Sequence, residues 1–270
     1  MIASLVNGEE RDSLSILDRG LQFGDGLFET IAIHEGRPAL WQRHMGRLLL
    51  GCRQFGLQAP DSGLLQEEAR RLIGSRQSAI LKILITRGHS ERGYRVPGDA
   101  QPTRILELFE WDGPEASTRA IDLRFCRQRL GLQPGYAGLK HLNRLEQVLA
   151  RSEFDEGEGL MLDPEGCLVA GTASNLFLLI RGRLHTPIID RCGVAGVVRA
   201  LVLDVAREMR QPVTVRRVLP DELEEAEGIF LASSLLGIMA ASTLEGVRKQ
   251  VQVSHHPVLE AAAGQVFRAG

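Results

Sequence analysis

The 270-residue sequence predicts a mixed α/β protein of two domains, and three observations lead there. Apolar β-type runs alternate with segments of helical periodicity along the chain. The length exceeds the size at which a single core usually divides. A stretch of linker composition, Asp112-Gly113-Pro114-Glu115-Ala116-Ser117, falls between an earlier and a later set of elements. The expected division is a small N-terminal α/β domain over 1–112, a linker over 113–117 and a larger C-terminal α/β domain over 118–270.

In the first domain, Leu27 to Ile33 reads as a strand and His34-Glu35-Gly36-Arg37 as a hairpin turn before a return strand. Leu48, Leu49, Cys52 and Phe55 recur at helical spacing, which predicts a helix from Trp41 to Phe55, with a second from Ser62 to Ile73. Ala79 to Thr86 and Arg104 to Glu110 are apolar β-type runs. The loop between them, around Gly88 to Gly98, is long enough to carry function. Beyond the linker, strands are expected at Leu123–Gln128, on either side of the turn in Leu160–Val169, and at Asn175–Ile180, Val213–Val218 and Gly228–Ala232. Helices are expected at Leu142–Phe154 and from Gly193-Val194-Ala195-Gly196 to about Met209.

Composition removes several function classes. Lys and Arg number 32 against 34 Asp and Glu, a net charge of -2 with no basic block of the kind a nucleic-acid groove needs. Cys52, Cys126, Cys167 and Cys192 form no C-x-x-C pair, which disfavours a zinc site or disulfide framework and fits a reducing cytoplasm. No run approaches the ~20 apolar residues of a membrane span, and Met1 to Gly8 lacks the cationic start and apolar run of a leader, so a soluble protein is expected. His255-His256 has no third ligand at suitable spacing and reads as an exposed pair, leaving no metal site. The acidic run Asp221 to Glu225 reads as a solvated helix start.

Several motifs could carry chemistry. Lys140 stands just ahead of an amphipathic segment, with His141 and Arg144 nearby. Partial desolvation beside positive neighbours favours a neutral, nucleophilic amine, although most lysines at such positions are solvated surface charges. Arg47 lies within an otherwise core-facing helix, which suits bidentate phosphate binding or a structural ion pair. The helix start at Gly193 to Arg199 offers free amides to an anion, as many helix starts do. Ser233-Ser234 ends a strand with two hydroxyls, fit for a phosphate oxygen or for turn chemistry. Asp18 to Thr30 packs glycines and charges ahead of a strand, where the backbone can approach a ligand closely or simply turn.

These segments in this order, with Leu139-Lys140-His141-Leu142-Asn143-Arg144-Leu145-Glu146-Gln147 and Ala173-Ser174-Asn175-Leu176-Phe177, resemble the fold-type IV pyridoxal-phosphate enzymes. The resemblance runs from Val6-Asn7-Gly8 to Ser233-Ser234. The Lys-His-Leu-Asn-Arg-Leu string is similar to the branch of lyases acting on 4-amino-4-deoxychorismate. Ser-Asn-Leu-Phe and Gly-Asp-Gly are shared with branched-chain and D-amino-acid aminotransferases. The resemblance implies a small N-terminal and a larger C-terminal domain with pyridoxal phosphate between them, in a homodimer. It implies that Lys140 carries the cofactor and moves protons, and that Arg47, the backbone at Val197 and Val198, and Ser234 hold the phosphate. Asn175 joins the cofactor contacts. The Arg92-Gly93-Tyr94 loop lies near the substrate, with Tyr94 shaping its site and Arg92 or Arg95 meeting its carboxylates. The implied activity is formation of 4-aminobenzoate and pyruvate; a transaminase and a non-catalytic cofactor binder are the alternatives. Leu145 stands where branched-chain aminotransferases carry a tyrosine, which argues against that branch. A departure falls at Ala170, where the family pattern has a glutamate paired with the cofactor's pyridine nitrogen. Asp163 and Glu165 are the nearest acids in sequence, at the far end of the turn.

Overall fold

A computed structural model describes residues 1–114, 120–244 and 256–268. Residues 115–117 of the expected linker and His255 lie outside these. The chain divides into two compact units, one of Met1–Gly113, Leu139–Asn143 and Phe267–Gly270, the other of Pro114–Gly138 and Arg144–Val266.

The first unit contains β1 (Ala3–Val6), β2 (Glu9–Glu10), α1 (Arg19–Phe23), β3 (Gly26–His34), β4 (Arg37–Pro38), α2 (Trp41–Phe55), α3 (Ser62–Ile73), β5 (Ala79–Thr86) and β6 (Thr103–Phe109). Its strands form one antiparallel sheet in the order β2-β1-β6-β5-β3-β4. Alternation selects the buried face: Leu81, Ile83 and Ile85 of β5 and Leu27, Ile31 and Ile33 of β3 are all but inaccessible. Helix α2 packs on β3, burying Trp41, Met45, Leu48 and Cys52 at helical spacing. Helix α3 packs on β1, β5 and β6 through Leu65, Ala69, Leu72 and Ile73. Asp61 caps α3, accepting from Leu64 N at 2.7 Å, and Gly56 closes α2 at a φ of 58°.

The second unit holds β7 (Ile121–Phe125), α4 (Leu145–Arg151), β8 (Glu158–Leu162), β9 (Leu168–Gly171), β10 (Asn175–Ile180), β11 (Arg183–Pro187), α5 (Val197–Glu208), β12 (Thr214–Arg216), α6 (Glu222–Glu225), β13 (Gly228–Ser233), β14 (Gly237–Leu244) and α7 (Pro257–Val266). Its strands run β12-β11-β10-β13-β14-β7-β8-β9 in a mixed sheet, since β14–β7 and β7–β8 pair in parallel. Leu160, Leu162, Leu176, Leu178, Ile229 and Leu231 form its core.

Some elements differ from expectation. Helix α4 begins at Leu145 rather than Leu142, since Lys140 and Leu142 are bonded to β3 through their backbone, and it ends at Arg151 rather than Phe154. By the same bonds Leu139–Asn143 groups with the first unit, whereas the expected division assigned Lys140 to the C-terminal domain. The stretch before β3, read as a glycine-rich loop, contains the five-residue helix α1.

Candidate active site

Lys140 lies on an extended segment, not on the helix that follows it. Phe28 N donates to Lys140 O at 2.9 Å and Leu142 N to Gly26 O at 3.0 Å, so the segment is tied to β3 by an isolated antiparallel bridge between Leu27 and His141. The amine Nζ lies 4.2 Å from the centroid of the Phe28 ring, whose face attracts it. Glycines make the approach possible. A Cβ on Gly24 would fall 2.4 Å from Asn143 Oδ1, and Asn143 Nδ2 donates to Gly24 O at 3.1 Å.

Arg47 is held from below by two residues that the sequence reading did not single out. Glu29, 1% exposed, accepts from Arg47 Nε at 2.8 Å, from Arg47 Nη2 at 2.5 Å and from His44 Nδ1 at 2.6 Å. Burial raises the Glu29 pKa, but the charge and hydrogen bonds of Arg47, with help from His44, outweigh it and hold the carboxyl at about 2. Burial depresses the pKa of His44, and the nearby charges of Arg47 and Lys140 act in the same direction against the pull of Glu29. The two bonds to Glu29 fix the plane of the Arg47 guanidinium, a geometry suited to an oxyanion.

The substrate-loop candidates have a fastener of their own. Arg19, 3% exposed, donates to Asp25 Oδ2 at 2.9 Å and to Ser90 Oγ at 3.0 Å. Its two terminal nitrogens also reach the backbone carbonyls of Gly93, Tyr94 and Arg95 at 3.1, 3.2 and 3.5 Å. Tyr94 is 85% exposed, with its ring 5.4 Å from that of Phe23, and Arg92 and Arg95 are exposed too.

In the second unit, Val197 and Val198 open α5 with their side chains buried in the core, so the backbone amides are what they offer. No side chain caps this helix, leaving its first-turn N–H groups for an anion. Asn175 braces the approach: its Nδ2 donates to Val194 O at 2.9 Å and its Oδ1 accepts from Gly196 N at 3.0 Å. Both ends of the Asn175 amide are thus committed to the α5 entrance. A Cβ on Gly196 would stand 2.0 Å from Asn175 Oδ1. Gly196→Ala is therefore expected to displace that brace at about 1–3 kcal/mol, seen as a lower melting temperature and weaker pyridoxal-phosphate retention; a variant matching the parent in both would contradict this. Ser234 lies in the turn between β13 and β14.

Ala170 is buried among Cys126, Phe154, Met161, Val169 and Cys192. Asp163 and Glu165 turn away to Arg191, at 3.1 and 2.5 Å, and Asp163 Oδ1 also accepts from Cys167 N. The buried carboxylate of Glu158 accepts from Thr172 N and Oγ1, Ala173 N, Ser174 Oγ and Gly159 N, and so secures the turn between β9 and β10. Among the described residues no cluster of His, Cys, Asp and Glu could hold a metal ion, and no helix is long and apolar enough to cross a membrane.

Known proteins resemble this arrangement across nearly its whole length. The family model for amino-transferase class IV matches residues 26–244. The 4-amino-4-deoxychorismate lyase from Pseudomonas aeruginosa is similar in structure with a TM-score of 0.88, at 40% identity and covering 97% of each chain. Aminodeoxychorismate lyase from Vibrio harveyi is 32% identical over 251 residues, 91% of this chain and 93% of that protein. D-alanine aminotransferase from Bacillus licheniformis is 25% identical over 246 residues, 87% of this chain and 84% of that protein.

Proposed function

The chain belongs to the amino-transferase class IV family, and from that membership we propose that it is a pyridoxal-phosphate-dependent lyase converting 4-amino-4-deoxychorismate to 4-aminobenzoate and pyruvate. The observation that carries this reading is the Lys140 segment, held against β3 by its own backbone, in a chain more alike to two such lyases than to the aminotransferases.

The residues suit the cofactor at two of its three points. Lys140 supplies the amine for its aldehyde. Arg47, the uncapped start of α5 and the Ser234 hydroxyl are each of a kind that suits its phosphate, and Asn175 acts through the loop it braces. At the third point, Ala170 offers no carboxylate to the ring nitrogen. When bound, pyridoxal phosphate supplies a conjugated system that takes up negative charge from the substrate carbon bearing the amine. Lys140 removes the proton from that carbon and delivers one to the methylene carbon of the departing enolpyruvyl group. The carbon–oxygen bond to the enolpyruvyl group breaks, pyruvate leaves, and aromatisation drives the elimination. In this reading the 92–95 loop lies toward the substrate, with Arg92 and Tyr94 as its contacts.

Purified protein saturated with pyridoxal phosphate and given 4-amino-4-deoxychorismate is expected to form 4-aminobenzoate and pyruvate in equal amounts. Amino transfer to a keto acid instead would assign it to the transaminase branch. Ala170→Glu is expected to raise turnover by roughly 10- to 100-fold, the worth of one charge-assisted hydrogen bond felt in the transition state. An unchanged rate would show that protonation of the ring nitrogen is not limiting.

A homodimer completes this reading. Leu145, Val148 and Leu149 are 69%, 57% and 48% exposed on one face of α4, an apolar stripe suited to a second copy. We place the protein in the cytoplasm, in keeping with four buried, unpaired cysteines.

A further inference from the structure

We propose that a groove within the first unit is a binding site for small aromatic carboxylates. It has a volume of about 480 Å³ and lies between the β3–β4 turn, the first turn of α2 and the second half of α3. It includes none of Lys140, Arg47 or Glu29, so it is separate from the groups assigned to the reaction and does not rest on that assignment.

The floor of the groove is apolar. Trp41, Ala69 and Ile73 line it and are 6%, 1% and 4% exposed. Its rim is cationic: Arg37, Arg43 and Arg70 come to it from three different elements, with two glutamines beside them and no Asp or Glu in the lining. Among the described residues no ion pair or side-chain hydrogen bond engages Arg37 or Arg70. Three like charges around one opening repel each other, and a carboxylate entering it offsets that repulsion while accepting charge-assisted hydrogen bonds. An inorganic anion would use the rim and leave the floor wet, and a neutral hydrocarbon would use the floor and make no use of the rim's charge. A flat ring bearing a carboxylate uses both, with tryptophan and guanidinium as natural neighbours for its faces. The volume falls in the ordinary range for small-molecule sites, ~300–1,000 Å³.

Calorimetry on the protein saturated with pyridoxal phosphate tests the site, with benzoate as the probe and benzamide as its uncharged twin. One benzoate is expected per chain, with benzamide weaker by roughly tenfold or more. Arg70 is exposed on α3, so Arg70→Glu should fold. It is expected to weaken benzoate by roughly tenfold or more and leave lyase turnover unchanged. Benzoate should also perturb the fluorescence of Trp41, a signal absent from Trp41→Phe. Benzoate binding that survives Arg70→Glu, or that is matched by benzamide, would place the molecule elsewhere and overturn the proposal. So would the absence of saturable binding.

Discussion

Lys140→Ala is expected to abolish formation of 4-aminobenzoate and pyruvate. Under the proposed function the substitution removes the group that would carry the cofactor and move the proton, and the second role alone is worth about 10²- to 10⁴-fold. It should do so without unfolding the chain. The segment is tied to β3 through main-chain bonds from Phe28 N and Leu142 N, which alanine retains, while side-chain contacts such as that of Nζ with the Phe28 ring are lost. Turnover and the absorbance of bound cofactor are the measurements, with the melting temperature as the control for folding. Residual turnover above roughly one per cent of the parent would show that another group moves the proton.

Glu29→Gln is expected to be the most costly change to stability at this site. Two hydrogen bonds of Arg47 and one of His44 converge on this carboxylate, and the neutral amide removes the negative charge that faces them. Breaking a buried pair in this way costs about 3–5 kcal/mol. The pH dependence has a definite sign. The Glu29 pKa is lowered from 4.5 to about 2, so its contribution is present in full above pH 4.5 and is lost as pH falls through about 2. Denaturant unfolding of parent and variant should therefore differ most near neutrality and converge across that acid window. A gap below about 1 kcal/mol at neutral pH, or one constant down to pH 2, would contradict this account. Because Arg47 loses its fixed plane, the variant is also expected to retain pyridoxal phosphate less well.

Much of the first unit could be read from pattern. The bounds of α2, α3 and β5 follow from apolar spacing and from flanking Asp61, Gly56 and Gly74, since local chemistry and tertiary packing agree there. The segment at 139–143 is a different case. Its composition suits the start of a helix, and only pairing with β3, more than a hundred residues earlier, keeps it extended. The site was legible in part for similar reasons. Lys140, Arg47 and the entrance of α5 carry recognisable strings, whereas Glu29, His44 and Arg19 act through partners distant in sequence. A signal for Glu29 was nonetheless present: it shares the alternating face of Leu27, Ile31 and Ile33, and a carboxylate on an apolar face requires a cation. His44 and Arg47, three apart on α2, were the matching pair. The arginine-rimmed groove has no comparable signal, because Arg37, Arg43 and Arg70 meet only through the fold.

Along residues 93–95 the clamp of Arg19 reads main-chain carbonyls, and the loop side chain it holds is that of Ser90. The path of residues 93–95 is therefore held largely through the main chain, with the Tyr94 ring against Phe23 as a side-chain contact there. Arg92 and Arg95 can be exchanged for others while the backbone keeps its course, so under the proposed function substrate preference can drift at these positions at little cost to the scaffold. Arg19 itself has no such freedom, since one substitution there releases every anchored carbonyl together.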